Sequence, residues 1–275
     1  MDCIHLKPKK RSKIRIIAGK SIYSFKRRLY WIFGDVVFAT TKDFHPYRYP
    51  YFCHSTPLLR QLKDVDMYLQ YNKITNLELA LKKINNVIIK PGETFSYWKL
   101  IGKPTKRKGY KEGFILFNGM VKPGIGGGLC QLSNLIYWMT LHTPLTITER
   151  YRHSYDIFPD SNRILPFGSG ATCVYNYRDL MIRNDTNTPV QLKIWIHDSM
   201  LCGCWRTNIK PLETYNIYEK EHYIIKELFG KYSRHNLIYR KIFNLEGNEI
   251  ADEYITENHA LMMYEPFLVD TQHNL

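Results

Sequence analysis

The chain has 275 residues, of which 44% are hydrophobic and 23% are charged. This balance excludes a disordered or collagen-like chain, and the length suits one large domain or two small ones. The formal net charge is +14, but residues 1–34 carry ten basic residues against one acid, a net +9, so the rest of the chain carries only +5. Charge confined to one arm disfavours a uniformly polyanion-binding surface. No helix-turn-helix, zinc-finger or RNP motif is present, so nucleic acid is not an expected partner.

The basic arm continues into a segment with helical periodicity. Between residues 20 and 39 the apolar positions recur every three or four residues, at Ile22, Phe25, Leu29, Ile32 and Val36, which predicts an amphipathic helix. In one interpretation the helix packs on the main domain and exposes its basic face. In the other, residues 7–28 lie on an anionic membrane surface.

The rest of the chain predicts an α+β fold, with helices first, a central buried helix after a glycine-rich loop, and then mostly antiparallel sheet. Residues 45–57 are rich in proline and aromatics and predict a linker or wrapping loop. Helices are expected at 58–71 and 76–86. Strands are expected at 94–100, 113–117, 120–121, 145–151, 171–182 and 189–196, with hairpins in the last sixty residues. We expect an arm and linker (1–57), a core domain (58–210) and a β-rich C-terminal extension packed on the core (211–275).

Six cysteines in a chain of this length are weak grounds for disulfides, and no signal peptide is visible, so we expect reduced thiols. The expected location is the cytoplasm, with the arm at the inner face of the membrane. The charge-free stretch 123–148 contains several glycines and polar residues, which favours a buried helix over a membrane span. Cys202 and Cys204 are too close for a zinc knuckle, so neither a metal nor another cofactor is expected.

The segment 123–139 carries the candidate chemistry. Gly126, Gly127 and Gly128 lead into a long apolar run, which places Cys130 in the first turn of the predicted helix. Free amide N–H groups and the positive end of the helix dipole favour a thiolate there, and glycines let a substrate backbone approach closely. The alternative is that Cys130 simply packs beneath the helix and that the glycines serve a tight crossing.

Two further residues complete a candidate triad. His153 follows one predicted strand and Asp179 lies at the end of another, which gives the order Cys–His–Asp found in transglutaminase-like and papain-like thiol enzymes. His153 would act as base and Asp179 would orient the imidazole, while backbone amides near Cys130 or the Gln131 amide would bind the oxyanion. Arg150, close to His153 in sequence, is a candidate substrate-binding residue. The alternatives are that His153 caps a strand and that Asp179 accepts backbone hydrogen bonds in a turn.

These same residues resemble the VanW family, found in some glycopeptide-resistance gene clusters. The matching blocks include residues 91–96, Asn118-Gly119, 123–131, Glu149-Arg150, His153-Ser154, Ala171-Thr172 and Asp179, and they span about residues 65–200. Many members carry an acid where this chain has Gly170, so the resemblance leaves Asp179 as the better partner for His153. Larger members look exported, and this chain resembles the short type without a signal.

The resemblance implies an association with glycopeptide resistance but no settled activity. Our leading hypothesis is a thiol-dependent acyl-transfer or hydrolytic enzyme that acts on a peptide or amide linkage of cell-wall precursors. The alternative is a non-catalytic accessory protein, held at the membrane by its basic arm, whose glycine loop binds a ligand or partner.

Overall fold

The computed structural model describes residues 12–59, 66–117, 119–157 and 165–266. Within these ranges the helices are α1 (Lys13–Phe33), α2 (Met67–Ile84), α3 (Tyr97–Ile101) and α4 (Cys130–Leu141). The strands are β1 (Tyr49–Pro57), β2 (Ile88–Ile89), β3 (Thr94–Ser96), β4 (Glu112–Phe117), β5 (Met120–Ile125), β6 (Thr146–Glu149), β7 (Tyr155–Asp156), β8 (Met181–Arg183), β9 (Val190–His197), β10 (Met200–Thr207), β11 (Glu213–Lys226), β12 (Tyr232–Asn244) and β13 (Glu249–Met262).

The strands form four sheets, nearly all of them antiparallel. One has the order β1-β10-β9-β2, a second β3-β8-β6, and β4 and β5 form a hairpin. The C-terminal strands follow the order β11-β12-β13-β7, in which only the short β13–β7 pairing is parallel. The predicted α+β class with mostly antiparallel sheet is therefore confirmed.

Helix α4 lies at the centre of the hydrophobic core. It is apolar on almost every side, as expected of a helix that is covered all round, and Leu132, Ile136 and Met139 are fully buried. The same buried cluster takes in α2, β9 and β10, and it extends to Ile217 and Ile238 of the C-terminal sheet. The predicted buried helix after the glycine loop is thus present, and Cys130 is its first residue.

Four local predictions were wrong. Of the strand predicted at 94–100 only Thr94–Ser96 is a strand, because the chain enters helix α3 at Tyr97. Residues 49–57 form the edge strand β1 rather than a loop, and an edge position tolerates Pro50 and Pro57 because a missing N–H costs little there. In place of two helices at 58–71 and 76–86 the structure has the single helix α2, while residues 60–65 lie outside the described part. The strand predicted at 171–182 is mostly irregular, and only its end belongs to β8.

The expectation of reduced thiols also fails at one pair. Cys53 of β1 and Cys204 of β10 are direct partners in the antiparallel register, and a disulfide joins them. Cys130, Cys173 and Cys202 are free thiols.

Helix α1 starts earlier than predicted and turns its apolar stripe outward. Ser12 caps it by accepting a hydrogen bond from the Arg15 amide, and it ends at Gly34 instead of continuing to residue 39. Ile22, Phe25 and Leu29 are exposed, which contradicts the interpretation that the apolar side packs on the domain. No helix in the described part of the chain is long and apolar enough to cross a membrane.

The start of α4 is fixed by a close approach of two backbones. Gly127 lies directly against Gly113 of β4, and a Cβ atom added at either position would overlap the backbone of the other. Glycine is therefore required by space at both positions, independently of any substrate.

We predict that Gly127→Ala destabilises the fold by about 3 kcal/mol, because the methyl group would push β4 away from the glycine loop. Gly19→Ala is the matched control: nothing lies within 4 Å of the Cβ position in this helix, so we expect a gain of up to about 1 kcal/mol. Urea denaturation of both variants measures the difference. An equal, small effect of the two substitutions would show that the crossing is looser than described.

Candidate functional site

The glycine loop presents no free amide to a ligand. The N–H groups of Gly126, Gly127 and Gly128 donate to the carbonyls of Lys111, Gly124 and Phe114 at 2.9–3.0 Å. All three glycines are also buried. Their predicted role in substrate or oxyanion binding thus gains no support from their contacts, which instead match the tight-crossing alternative.

A side chain that sequence reasoning missed holds the loop from behind. The Asn76 amide of α2 donates to the carbonyl of Gly127 at 2.9 Å and to that of Lys111 at 3.1 Å. The Asn76 carbonyl accepts from the Lys111 amide at 2.8 Å, and the side chain is fully buried. A lone asparagine on a helical face gave no signal of this role, because its partners are 35 and 51 residues away.

Cys130 is half-buried at the first position of α4. Its thiol donates to the backbone carbonyl of Cys173 at 4.0 Å. Burial raises the pKa of the Cys130 thiol above its ordinary value of 9.0, so the resting group is protonated at neutral pH. Within the described residues the backbone N–H of Cys130 donates to no acceptor, which leaves one helix-start amide beside the sulfur.

His153 is held at both ring nitrogens by two residues that sequence reasoning did not single out as partners. Nδ1 lies 2.8 Å from the Thr172 hydroxyl, and Nε2 lies 3.4 Å from the Asn134 side-chain oxygen. That oxygen also accepts from the Ala171 amide at 2.9 Å, which fixes its orientation. Burial and the nearby Arg150 charge lower the pKa of His153 to about 4, so the imidazole is neutral at pH 7.

The thiol and the imidazole therefore lie against the same short loop and the same face of α4. Asn134 follows Cys130 by four residues, one helical turn further on. Thr172, which contacts His153, is adjacent to Cys173, which accepts from the Cys130 thiol. In the described structure no hydrogen bond joins Cys130 to His153 directly.

Asp179 forms its hydrogen bonds at the start of α3. Its carboxylate accepts from the Ser96 hydroxyl at 2.6 Å and from the amides of Trp98 and Leu180, both at 2.9 Å, so it caps the start of α3. Burial raises the pKa of Asp179 to about 7, against these hydrogen bonds, which favour the charged form. No bond between Asp179 and His153 exists among the described residues. The orienting role of Asp179 stays a prediction, while the observed contacts match the alternative of a backbone acceptor.

The two remaining predicted site residues, Gln131 and Arg150, also donate hydrogen bonds to groups within the protein. The Gln131 amide donates to the Thr56 hydroxyl and to the Pro57 carbonyl, both at 2.9 Å. The Arg150 guanidinium binds the carbonyls of Gly168 and Gly170 and the side chains of Thr256 and Asn258. Arg150 thereby fastens the loop beside His153 to β13. No cluster of His, Cys, Asp or Glu suited to a metal ion occurs in the described ranges.

Gly170 lies beside the imidazole. A Cβ atom at this position would be 2.6 Å from the Asn134 side-chain oxygen and 3.1 Å from His153 Nε2. A side chain at this position would therefore have to displace the Asn134 side chain. Glycine at this position leaves room for the contact between His153 and Asn134.

Comparison with known proteins finds a similarity over the segment that contains these residues. Residues 72–206 match the family model described as VanW like protein. The chain is 40% identical over 167 residues to the vancomycin B-type resistance protein VanW of Enterococcus faecalis, a match that covers 61% of each chain. It is 32% identical over 118 residues to the uncharacterized protein YoaR of Bacillus subtilis, covering 43% of this chain and 37% of YoaR.

The match thus spans less than two thirds of the length of either relative. No solved structure matches the chain. The similarity to papain-like or transglutaminase-like cores hence stays a prediction. The matched segment contains Cys130, His153 and Asp179, and over this segment the chain is similar to the VanW like proteins.

Proposed function

We propose that this protein acts in glycopeptide resistance or cell-wall metabolism as a thiol-dependent acyl-transfer or amide-hydrolysing enzyme, with Cys130 as nucleophile and His153 as base. The observation that carries the proposal is the convergence of the two groups on the loop 171–173. The relative named as a vancomycin resistance protein supplies the biological setting. The substrate class would be a peptide or amide linkage of a cell-wall precursor.

The proposed reaction has two steps. The Cys130 sulfur attacks the amide carbonyl carbon while the thiol proton passes to the His153 imidazole, and the C–N bond breaks as that proton is given to the leaving amine. Water or a second amine then attacks the thioester, which releases the acyl group and restores the thiol. In this proposal the oxyanion accepts a hydrogen bond from the backbone N–H of Cys130, which donates to no acceptor in the described part of the chain.

The resting proton distribution leaves the base able to accept a proton, but the raised pKa of the Cys130 thiol and the lowered pKa of His153 both oppose the transfer until substrate binds. A base must be neutral before it accepts a proton, and the low pKa of His153 keeps the imidazole neutral at pH 7. The thiol retains its proton and donates to the Cys173 carbonyl until substrate displaces that contact. Since catalytic hydrogen bonds often tighten only when substrate is bound, the thiol and the imidazole need not be paired at rest.

A second candidate is a non-catalytic accessory protein that uses the same surface to bind a ligand. It is favoured because Gln131, Arg150 and the glycine amides all donate hydrogen bonds to other groups of the protein. Few hydrogen-bond donors are therefore left to stabilise a transition state. The two candidates differ in whether the Cys130 sulfur is needed.

Thiol reactivity offers the most direct test. With iodoacetamide and peptide mapping by mass spectrometry, we expect the alkylation rate of Cys130 to rise about tenfold per pH unit from pH 7 to 9, because the thiolate is the reactive form. Cys173 is the internal control, since it is buried and the pKa of its thiol is raised well above the ordinary value. If Cys130 stays as unreactive as Cys173 in the folded protein, the assignment of Cys130 as nucleophile is wrong.

Function in cells separates the two candidates. In a deletion strain complemented with variants, we expect Cys130→Ser and Cys130→Ala to give no more glycopeptide resistance than an empty vector. Cys202→Ser should behave as wild type, because Cys202 lies on β10 outside the candidate site. Full resistance with Cys130→Ala, at equal protein levels, would favour the accessory protein.

The lowered pKa of His153 predicts how the stability of the folded protein depends on pH. Its pKa is lowered from 6.5 to about 4 in the folded protein. The unfolded chain thus takes up the proton first, and stability falls as the pH drops from about 6.5 towards 4. His153→Gln should make this loss less steep, while His142, whose pKa is also about 4 because of burial, contributes equally to both proteins.

Thr172→Val tests how the imidazole is held. It removes the hydroxyl contact to Nδ1 at nearly constant volume, so we expect a changed nitrogen-15 shift of Nδ1 and slower Cys130 alkylation. NMR of the imidazole nitrogens and iodoacetamide labelling measure these two effects, while denaturation at pH 7 and pH 5 measures the pH dependence expected for His153→Gln. An imidazole that titrates near 6.5 would contradict this account of the site.

A further inference from the structure

We propose that α1 is an interfacial helix that docks the protein on an anionic lipid surface through its outward apolar face. This proposal is independent of the proposed function, because none of the residues involved belongs to the thiol site. The outer apolar face is defined by five side chains, Ile14, Ile22, Phe25, Leu29 and Ile32, which are 38–81% exposed.

Helical geometry shows that the outer apolar face is one continuous stripe. At 3.6 residues per turn its five members fall within an arc of about 80°. Of the partly buried residues of the same helix, Ile16, Ser24, Arg27 and Trp31 lie on roughly the opposite side, and Gly19 lies between the two sides. The helix therefore packs its more polar side on the protein and presents its apolar side to the surroundings, the reverse of an ordinary surface helix.

Specific polar contacts hold the helix in this orientation. The Arg27 guanidinium forms a two-pronged ion pair with Glu149 of β6 at 2.6 and 2.7 Å, and both side chains are largely buried. The Ser24 carbonyl accepts from the Asn176 amide at 3.2 Å, and the Trp31 carbonyl accepts from the Lys99 ammonium at 2.7 Å. Turning the stripe inward would break the Arg27–Glu149 pair and leave a buried charge unpaired, which is strongly unfavourable.

The charges around the stripe match an anionic surface. Arg15 and Lys26 are exposed along one border and Arg28 along the other, and the helix contains no acidic residue. The sequence just before the helix adds Lys7, Lys9, Lys10 and Arg11. Cations beside an apolar stripe are the pattern of helices that lie in the headgroup region of a membrane.

Charge also favours lipid over a second copy of this chain. Two copies that paired their outer apolar faces would bring the flanking cations of both helices together without a compensating acid, whereas an anionic headgroup neutralises them.

Helix α1 also contacts the turn that borders the thiol site. The Tyr23 ring of α1 lies 6.4 Å from the Tyr177 ring, centroid to centroid. Tyr177 belongs to the turn 174–178, which directly follows Cys173. Because Tyr23 lies about 150° around the helix from the centre of the outer apolar face, this contact is on the side of α1 that faces the protein.

Vesicle sedimentation of the full chain tests the proposal, with vesicles of phosphatidylcholine alone or mixed with phosphatidylglycerol. We expect binding to the anionic vesicles only. Phe25→Ser combined with Ile32→Ser should lower the partition coefficient about tenfold or more, because two large side chains lose their burial in the interface. Arg15→Gln, Lys26→Gln and Arg28→Gln together should lower it about a hundredfold at low salt.

The matched control is Leu212→Ser combined with Leu228→Ser, which removes two apolar side chains that are 68% and 90% exposed on other parts of the surface. This control and Cys130→Ser should bind vesicles as wild type does. Circular dichroism and the melting temperature show whether each variant remains folded.

A tryptophan probe reports contact with the acyl chains. Phe25→Trp should give a blue-shifted emission that brominated lipids quench, whereas Leu228→Trp should not. Equal binding of wild type and the Phe25→Ser/Ile32→Ser variant would overturn the proposal, as would no binding to anionic vesicles. A dimer of the wild type that becomes a monomer in that variant without lipid would assign the face to a second copy instead.

Discussion

The candidate site depends on the contact between two stretches of backbone, at Gly113 and Gly127. This contact lets the loop before α4 pass directly over β4, and Asn76 secures it through three hydrogen bonds. The loop then delivers Cys130 to the start of a helix that is buried all round. The glycines thus determine where the sulfur lies through contacts within the protein, and the polar groups of the site are arranged around that fixed point.

A second element of organisation is the Glu149 carboxylate at the end of β6. It pairs with Arg27 of α1 and accepts from the backbone amide of Asp179 at 3.0 Å, while Asp179 caps α3. One partly buried carboxylate therefore joins the outer helix, the turn after Cys173 and the helix cap. A shift of α1 would move the Glu149 carboxylate and so alter the hydrogen bond that it accepts from the Asp179 amide. The Glu149 carboxylate is therefore the physical link between the proposed lipid surface and the proposed thiol site.

Sequence patterns were sufficient where local chemistry determines the structure. The glycine-to-helix transition at Cys130, the β4–β5 hairpin and the C-terminal hairpins were predicted because turn residues and apolar runs act over short distances. The strand at 49–57 was missed because prolines suggest loops, and only pairing with β10, some 150 residues later, makes an edge strand. Periodicity gave the stripe of α1 but not its direction, since the buried Arg27–Glu149 pair that decides it spans 122 residues.

The partners of His153 were beyond sequence reasoning for the same reason. Asn134 and Thr172 are each 19 residues from it, and only the folded loop brings all three together. An acidic partner for the histidine was the natural expectation from known triads, and it directed attention to Asp179. The structure instead gives the imidazole two neutral partners and places Asp179 at a helix cap.

The Cys53–Cys204 bond has a consequence for the unfolded chain. It closes a loop with a sequence separation of 151 residues, and this loop contains the glycine crossing, α4 and every residue of the candidate site. While the bond is intact, denaturation cannot separate β1 from β10. In the chain-entropy model, closing a loop of this length in the unfolded state favours the native state by about 5 kcal/mol. The redox state of the surroundings thus sets how much conformational freedom the whole site-bearing segment regains whenever the protein opens.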